Sequence, residues 1–188
     1  MDGAPEQDGR DEVDEIIGQW RDQRPDLPAG VLGVFGRIAR LNAAQREILK
    51  GVHDRHELAL GSFDALANLR RSGLPHRKTA GELAASSLLT SGGITFRLDR
   101  MEADGLVRRV RSEEDRRVVH AELTPLGLER IDRAFTDHLL TEEEMLAGLT
   151  PEEVDLLAAL LRKLGRSLAE HRAAPPAAGV PAARTSPA

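Results

Sequence analysis

The sequence predicts a mainly α-helical fold that carries one small β-hairpin. Three observations predict it. Apolar residues recur at helical spacing, as in Val13, Ile16, Ile17 and Trp20, or Ile94, Leu98 and Met101. Helix-start signatures stand at Thr79-x-x-Glu82, Thr124-Pro125 and Thr150-Pro151-Glu152-Glu153. Two strand-like runs, Leu106–Arg111 and Val118–Leu123, flank a charged tip, Ser112–Arg117.

In chain order, residues 1–9 are polar and are expected to be disordered. Asp11–Arg21 predicts a short amphipathic helix, ended by Arg24-Pro25-Asp26-Leu27-Pro28. This extra segment, 11–24, stands apart from a main domain over 31–170. A long helix is expected over 29–54, with Val31, Leu32, Val34, Phe35, Ile38, Leu41, Ile48, Leu49 and Val52 available for burial. Another runs from Gly61 to Arg71, turns Phe63, Leu66, Ala67 and Leu69 inward, and stops at Gly73. Two further helices fill 125–171, the first using Leu128, Ile131, Phe135 and Leu139. Residues 173–188 are rich in Ala and Pro and predict a disordered tail.

The centre of the chain, 79–124, carries the functional expectation. Leu83, Ala84, Leu88 and Leu89 give the helix after Thr79 its apolar side. Thr90, Ser91, Gly92 and Gly93 break that pattern and can cap a second helix. Gly105 stands where a helix C-terminal glycine belongs. Opposite the Ile94–Leu98–Met101 stripe, Gly92, Phe96, Asp99, Arg100 and Ala103 point outward. A short helix with small residues at its start and an exposed far face suits a DNA major groove. The expected organisation is therefore a helix-turn-helix over 79–104 followed by a wing over 106–124, a winged helix-turn-helix.

The wing carries a specific motif. Asp115-Arg116-Arg117, followed after five residues by Leu123-Thr124, resembles the Asp-x-Arg-x5-Leu-Thr signature of the MarR family of transcription regulators. Ser91–Arg100 is similar to that family's recognition helix, and the likeness extends in register from about Val31 to Leu168. The resemblance implies a homodimer held by terminal helices at 29–54 and 125–171. It also implies a pseudo-palindromic double-stranded DNA operator. Ser91 and the backbone around Gly92 would meet phosphate. Thr95, Phe96 and Asp99 would face base edges or thymine methyls, and Arg100 base or backbone. Arg117 would enter the minor groove with Asp115 holding its guanidinium fork, and Arg116 would contact phosphate. Phe96 departs from the polar residue common at that place in the family.

A narrower likeness concerns regulation. Trp20 in the extra helix, followed by Arg24-Pro25-Asp26-Leu27, together with Asp64, Arg97 and Arg109, resembles the residue set of the urate-responsive HucR-, PecS- and TamR-like branch. It implies that Trp20 and Arg109 hold a small anion such as urate or a citrate-like acid. Asp64 and Arg97 would transmit binding to the recognition helix. From the residues alone, Arg97 lies at the edge of the buried side, where an arginine needs a carboxylate. A structural ion pair is the plainer reading of Asp64 and Arg97.

Charge agrees with DNA once it is divided. The 188-residue chain has a net charge of −5, from 26 Lys+Arg against 31 Asp+Glu. Arg70–Arg117 holds 11 of the cations and 7 of the acids, which leaves 15 against 24 elsewhere. The chain has no cysteine, which excludes disulfides and thiol redox sensing. No apolar run approaches the ~18 residues of a membrane span, and the acidic start lacks a signal peptide's apolar segment, so the cytoplasm is expected. No Walker loop, Gly-x-Ser-x-Gly or His-Glu-x-x-His motif is present, so no enzyme activity, cofactor or catalytic residue is expected. His53 and His56 are spaced to share a metal with Asp54 or Glu57, a metal-responsive alternative. The commoner case is exposed histidines near a helix end. A winged helix used only for protein contacts is the other alternative, which the wing-tip motif disfavours.

Overall fold

The computed structural model describes residues 9–86 and 93–174. In chain order its helices are α1 (Glu12–Gln23), α2 (Leu32–Arg55), α3 (Leu60–Arg71), α4 (Ala80–Ser86), α5 (Ile94–Ala103), α6 (Pro125–Met145) and α7 (Pro151–Ala173). A short 3-10 turn, Ala29–Val31, leads into α2. The strands are β1 (Arg77–Thr79), β2 (Val107–Arg111) and β3 (Val119–Leu123), in the antiparallel order β1-β3-β2. The mainly α fold with a small β-wing is thus the observed one. β1 was not expected from the sequence. It pairs Thr79 with His120 and Arg77 with Glu122, so the wing hairpin is anchored to the segment that opens the helix-turn-helix.

The expected caps are in place. Thr79 Oγ1 accepts from the Glu82 backbone N–H at 3.2 Å, and a Glu82 carboxylate oxygen accepts from the Thr79 backbone N–H at 2.7 Å. The Thr79 backbone N–H and hydroxyl, both donating to it, hold the Glu82 carboxyl below its usual pKa. Thr150 and Glu153 form the same reciprocal box at α7. Thr124 Oγ1 accepts from the Gly127 N–H at 3.0 Å and donates to the Gly105 carbonyl at 2.7 Å, which joins the start of α6 to the end of α5. Gly105 has φ +71°, the left-handed geometry that ends a helix with least strain in glycine.

The chain forms two compact units, one through Thr141 and one from Glu142 onward. The core of the first unit gathers Leu66, Leu69, Leu83, Leu98, Met101, Leu106, Ile131 and Ala134, which join α3, α4, α5, the wing base and α6. α6 approaches the wing closely: a Cβ at Gly127 would lie 1.9 Å from the Leu106 carbonyl oxygen. α1 lies on α2, with Val13 and Ile17 buried and Asp11 and Asp14 bound by Arg37 at 2.8 and 2.6 Å.

α2 and α7 leave apolar surface uncovered. Val31, Val34, Phe35, Ile38, Leu41 and Ile48 of the 3-10 turn and α2 are exposed in the single chain. α7 has no buried residue, and Leu156, Leu157, Leu160, Leu161 and Leu168 face solvent. Patches of this extent mark interaction surfaces.

The two histidines singled out as exposed are not. His53 is 1% exposed and stacks on Phe63 at 4.1 Å and on His138 at 5.3 Å. Its Nε2 shares a hydrogen bond with His138 Nδ1 at 3.1 Å, and His56 Nε2 bonds Asp137 at 2.8 Å. The end of α2 packs against α6, a partner more than 80 residues away. Among the described residues no group of three or more His, Cys, Asp or Glu could hold a metal ion.

Candidate nucleic-acid interface

α5 presents the face that its periodicity predicts. Leu98 and Met101 are buried and Ile94 is partly so. Thr95, Phe96, Asp99, Arg100 and Ala103 lie on the exposed side, with Phe96 73% exposed. An aromatic ring left this open is available for apolar contact with a thymine methyl. Gly93 caps the helix from the left-handed region, φ +79°, and its carbonyl accepts from the Arg97 N–H at 3.0 Å. Ser91 and Gly92, expected at phosphate, lie outside the described residues, as do Leu88, Leu89 and Thr90.

The wing tip is a tight turn, and its geometry corrects one expectation. Asp115 was expected on the guanidinium fork of Arg117. Its carboxylate instead accepts from the Arg117 backbone N–H at 2.9 Å. Ser112 Oγ accepts from the Asp115 N–H at 3.4 Å, and Val118 N–H donates to the Asp115 carbonyl at 2.9 Å. An aspartate bonding two residues ahead is an Asx-turn, so Asp115 orients Arg117 by fixing its backbone. Arg116 and Arg117 are both exposed.

Arg109 links the wing to α5. It lies on β2, yet its bonds go to α5. Its Nη1 donates to Glu102 at 2.9 Å, its Nη2 pairs with Asp99, and its backbone N–H donates to Glu102 at 3.2 Å. The Asp99 bond, with Glu102 nearby, raises the pKa of a guanidinium that is already charged. Sequence reasoning placed Asp99 at base edges and Arg109 in a ligand pocket. The structure brings the two together in one ion pair. The signal for it was faint: Asp99 and Glu102 lie i, i+3 on one side of α5, and Arg109 is the second residue after β2 begins at Val107.

Arg97 reaches α3, the helix that carries Asp64. Asp64 is buried in α3, 8% exposed. The Arg97 side chain lies over the first turn of α3, so that a Cβ at Gly61 would be 2.6 Å from Arg97 Nε. Trp20, on α1, is 49% exposed.

Sequence reasoning missed a polar network behind the helix-turn-helix. Lys78 Nζ of β1 donates to Asn68 Oδ1 at 2.7 Å and to Ser86 Oγ at 3.1 Å. Asn68 Nδ2 donates to Ser86 Oγ at 2.9 Å, and Arg71 Nη2 donates to the Ser86 carbonyl at 2.6 Å. An asparagine amid the apolar residues of α3 was the available signal.

Comparison with known proteins accords with this arrangement. Residues 57–118 match the family model described as MarR family. Over 161 residues the chain is 34% identical to the HTH-type transcriptional regulator PecS of Dickeya dadantii, covering 86% of this chain and 97% of that one. A MarR mutant of E. coli crystallised with operator DNA superposes with a TM-score of 0.61 at 24% identity, over 77% of this chain and 96% of its own. BpsR of Bordetella bronchiseptica, whose DNA binding is regulated by 6-hydroxynicotinic acid, superposes at 0.63 and 21% identity, over 70% and 92%. The exposed recognition helix, the Asx-turned arginine wing and these likenesses lead to one conclusion: the chain belongs to the MarR family of transcriptional regulators and is a DNA-binding, winged helix-turn-helix protein.

Proposed function

We propose that the chain is a homodimeric repressor that a small anionic effector releases from a pseudo-palindromic operator. The uncovered apolar residues of α2 and α7 support the dimer, since a symmetric partner is the cheapest cover for them. Two recognition helices related by a two-fold axis read half-sites about one helical turn, ~34 Å, apart. Thr95, Phe96 and Arg100 read the major groove, Ser91 and Gly92 meet phosphate, Arg117 reaches the minor groove and Arg116 holds backbone.

The observation that carries the regulatory reading is the Arg109 fork, shared by Asp99 and Glu102 of the recognition helix. An anion held by Trp20 and Arg109 competes with those carboxylates. Whatever Arg109 gives to the ligand it withdraws from α5, and the wing loosens from the recognition helix. The same negative charge repels the Asp64 carboxylate, and the disturbance reaches α5 again through Arg97. Coupling of this kind is reciprocal and typically ~1–3 kcal/mol, so operator DNA weakens ligand binding by the factor that ligand weakens DNA binding. PecS, at 34% identity over nearly its whole length, supports the branch from which urate or a citrate-like acid is inferred.

The test titrates urate, citrate and trans-aconitate against operator complexes of wild type, Trp20→Phe, Arg109→Ala and Asp64→Asn. Wild type should release DNA and change its Trp20 fluorescence, whereas Arg109→Ala, which has already lost the fork, should start from a weaker operator complex and show no further ligand-dependent release or fluorescence change. Equal release from wild type and Arg109→Ala would remove the pocket while leaving the DNA reading intact.

A further inference from the structure

We propose that Asn68, Lys78 and Ser86 form a latch that positions the helix-turn-helix for sequence-specific binding, and that Lys78 acts there without touching DNA. The inference rests on the DNA-binding reading alone and not on the effector.

Ser86 is the last described residue of α4, in the helix that precedes the recognition helix. Its hydroxyl is fully engaged. Two lone pairs receive Asn68 Nδ2 at 2.9 Å and Lys78 Nζ at 3.1 Å, and the hydroxyl hydrogen is directed at the Glu82 carbonyl at 2.6 Å. The Ser86 carbonyl receives Arg71 Nη2 at 2.6 Å. Side chains from α3 and β1 therefore grip α4 at Ser86 from two sides.

Asn68 is 1% exposed, so its amide depends on these partners. Its Oδ1 receives Lys78 Nζ at 2.7 Å. Removing Ser86 leaves the buried Nδ2 without this partner, and removing Lys78 leaves Oδ1 only the longer contact to the Ser86 hydroxyl at 3.2 Å. A buried group left unpaired is penalised more than the bond itself contributes. Lys78 is half-buried on β1, a strand that exists only through its pairing with β3 of the wing. The latch thus sets α4 against α3 and against the wing sheet at once. A cation in a basic DNA-binding segment is ordinarily assigned to phosphate. This ammonium is instead turned inward, onto two neutral oxygens.

The test measures binding of wild type, Lys78→Met, Ser86→Ala and the double variant to operator and to a random duplex, at several salt concentrations. Each single variant should weaken operator binding about tenfold, the change that one lost charge-assisted hydrogen bond produces. The double variant should be little worse than either single one, since both break the same latch. Binding to the random duplex and the slope of log affinity against log salt should stay as in wild type. A slope reduced by about one for Lys78→Met would make Lys78 a phosphate contact and overturn the proposal. So would equal losses on both duplexes, additive losses, or an unchanged operator affinity. If Lys78→Met does not fold, Lys78→Gln and Ser86→Ala carry the same comparison.

Discussion

Protonation of His53 should unfasten the end of α2 from α6. The ring is sandwiched against Phe63 and His138, and its Nδ1 is buried with no hydrogen-bond partner. A second proton would have no acceptor there and would stand beside another imidazole. Burial, and then repulsion from His138, lower the His53 pKa from 6.5 to about 4. Asp54 opposes the shift and His56, itself bonded to Asp137, adds to it. The unfolded chain takes up its proton near pH 6.5 and the folded chain resists until about 4. The contribution of the neutral ring is therefore complete above pH 6.5 and is lost as pH falls from there toward 4. Linkage over that window gives a loss of about 2 kcal/mol between about pH 7.5 and about pH 5. Water entry and relaxation reduce this to about 1 kcal/mol. The assay is urea denaturation followed by circular dichroism at the two pH values and one fixed protein concentration, for wild type and His53→Phe. On acidification wild type should lose about 1 kcal/mol more than His53→Phe does. An identical pH slope in the two proteins would refute the argument.

Gly127→Ala should destabilise the fold by about 1–3 kcal/mol or more, since its Cβ would meet the Leu106 backbone and helix propensity returns only ~1 kcal/mol. Thermal or urea denaturation reads this directly, and an unchanged midpoint would mean that α6 is free to move off the wing. Arg117→Ala should weaken operator binding by about 1–3 kcal/mol with the circular dichroism spectrum intact. Unchanged affinity would take the wing out of the interface. Ending the chain at Leu149 removes α7 and should yield aggregates or unfolded protein on size-exclusion chromatography, whereas a stable soluble monomer would sink the dimer.

The parts legible in the sequence are those whose causes are local. Thr79 with Glu82 and Thr150 with Glu153 cap helices through bonds three residues apart, so the spacing alone predicts them. The α5 stripe, the Gly105 stop and the wing hairpin follow from helical period, left-handed backbone and alternation, each readable within about a dozen residues. The motif Asp115 to Thr124 then identified the family from residues that stand together in the chain.

Tertiary structure alone decided what depends on distant partners. β1 has three residues and no pattern of its own; only its ladder with β3, more than 40 residues on, makes it a strand. His53 looked like a surface residue because it stands near a helix end beside Asp54 and Arg55, and it is buried because α6 brings His138 and Phe135 to the α2–α3 corner. Asp99 carries the same chemistry whether it faces a base or an arginine, and the twist that brings β2 beside α5 commits it to Arg109. Asn68, Lys78 and Ser86 share no spacing rule, because their bonds arise where three elements meet. Caps and periods are set by residues within a turn or two of one another. Pairings across the fold are fixed by the packing of the shared core, which no local window of sequence contains.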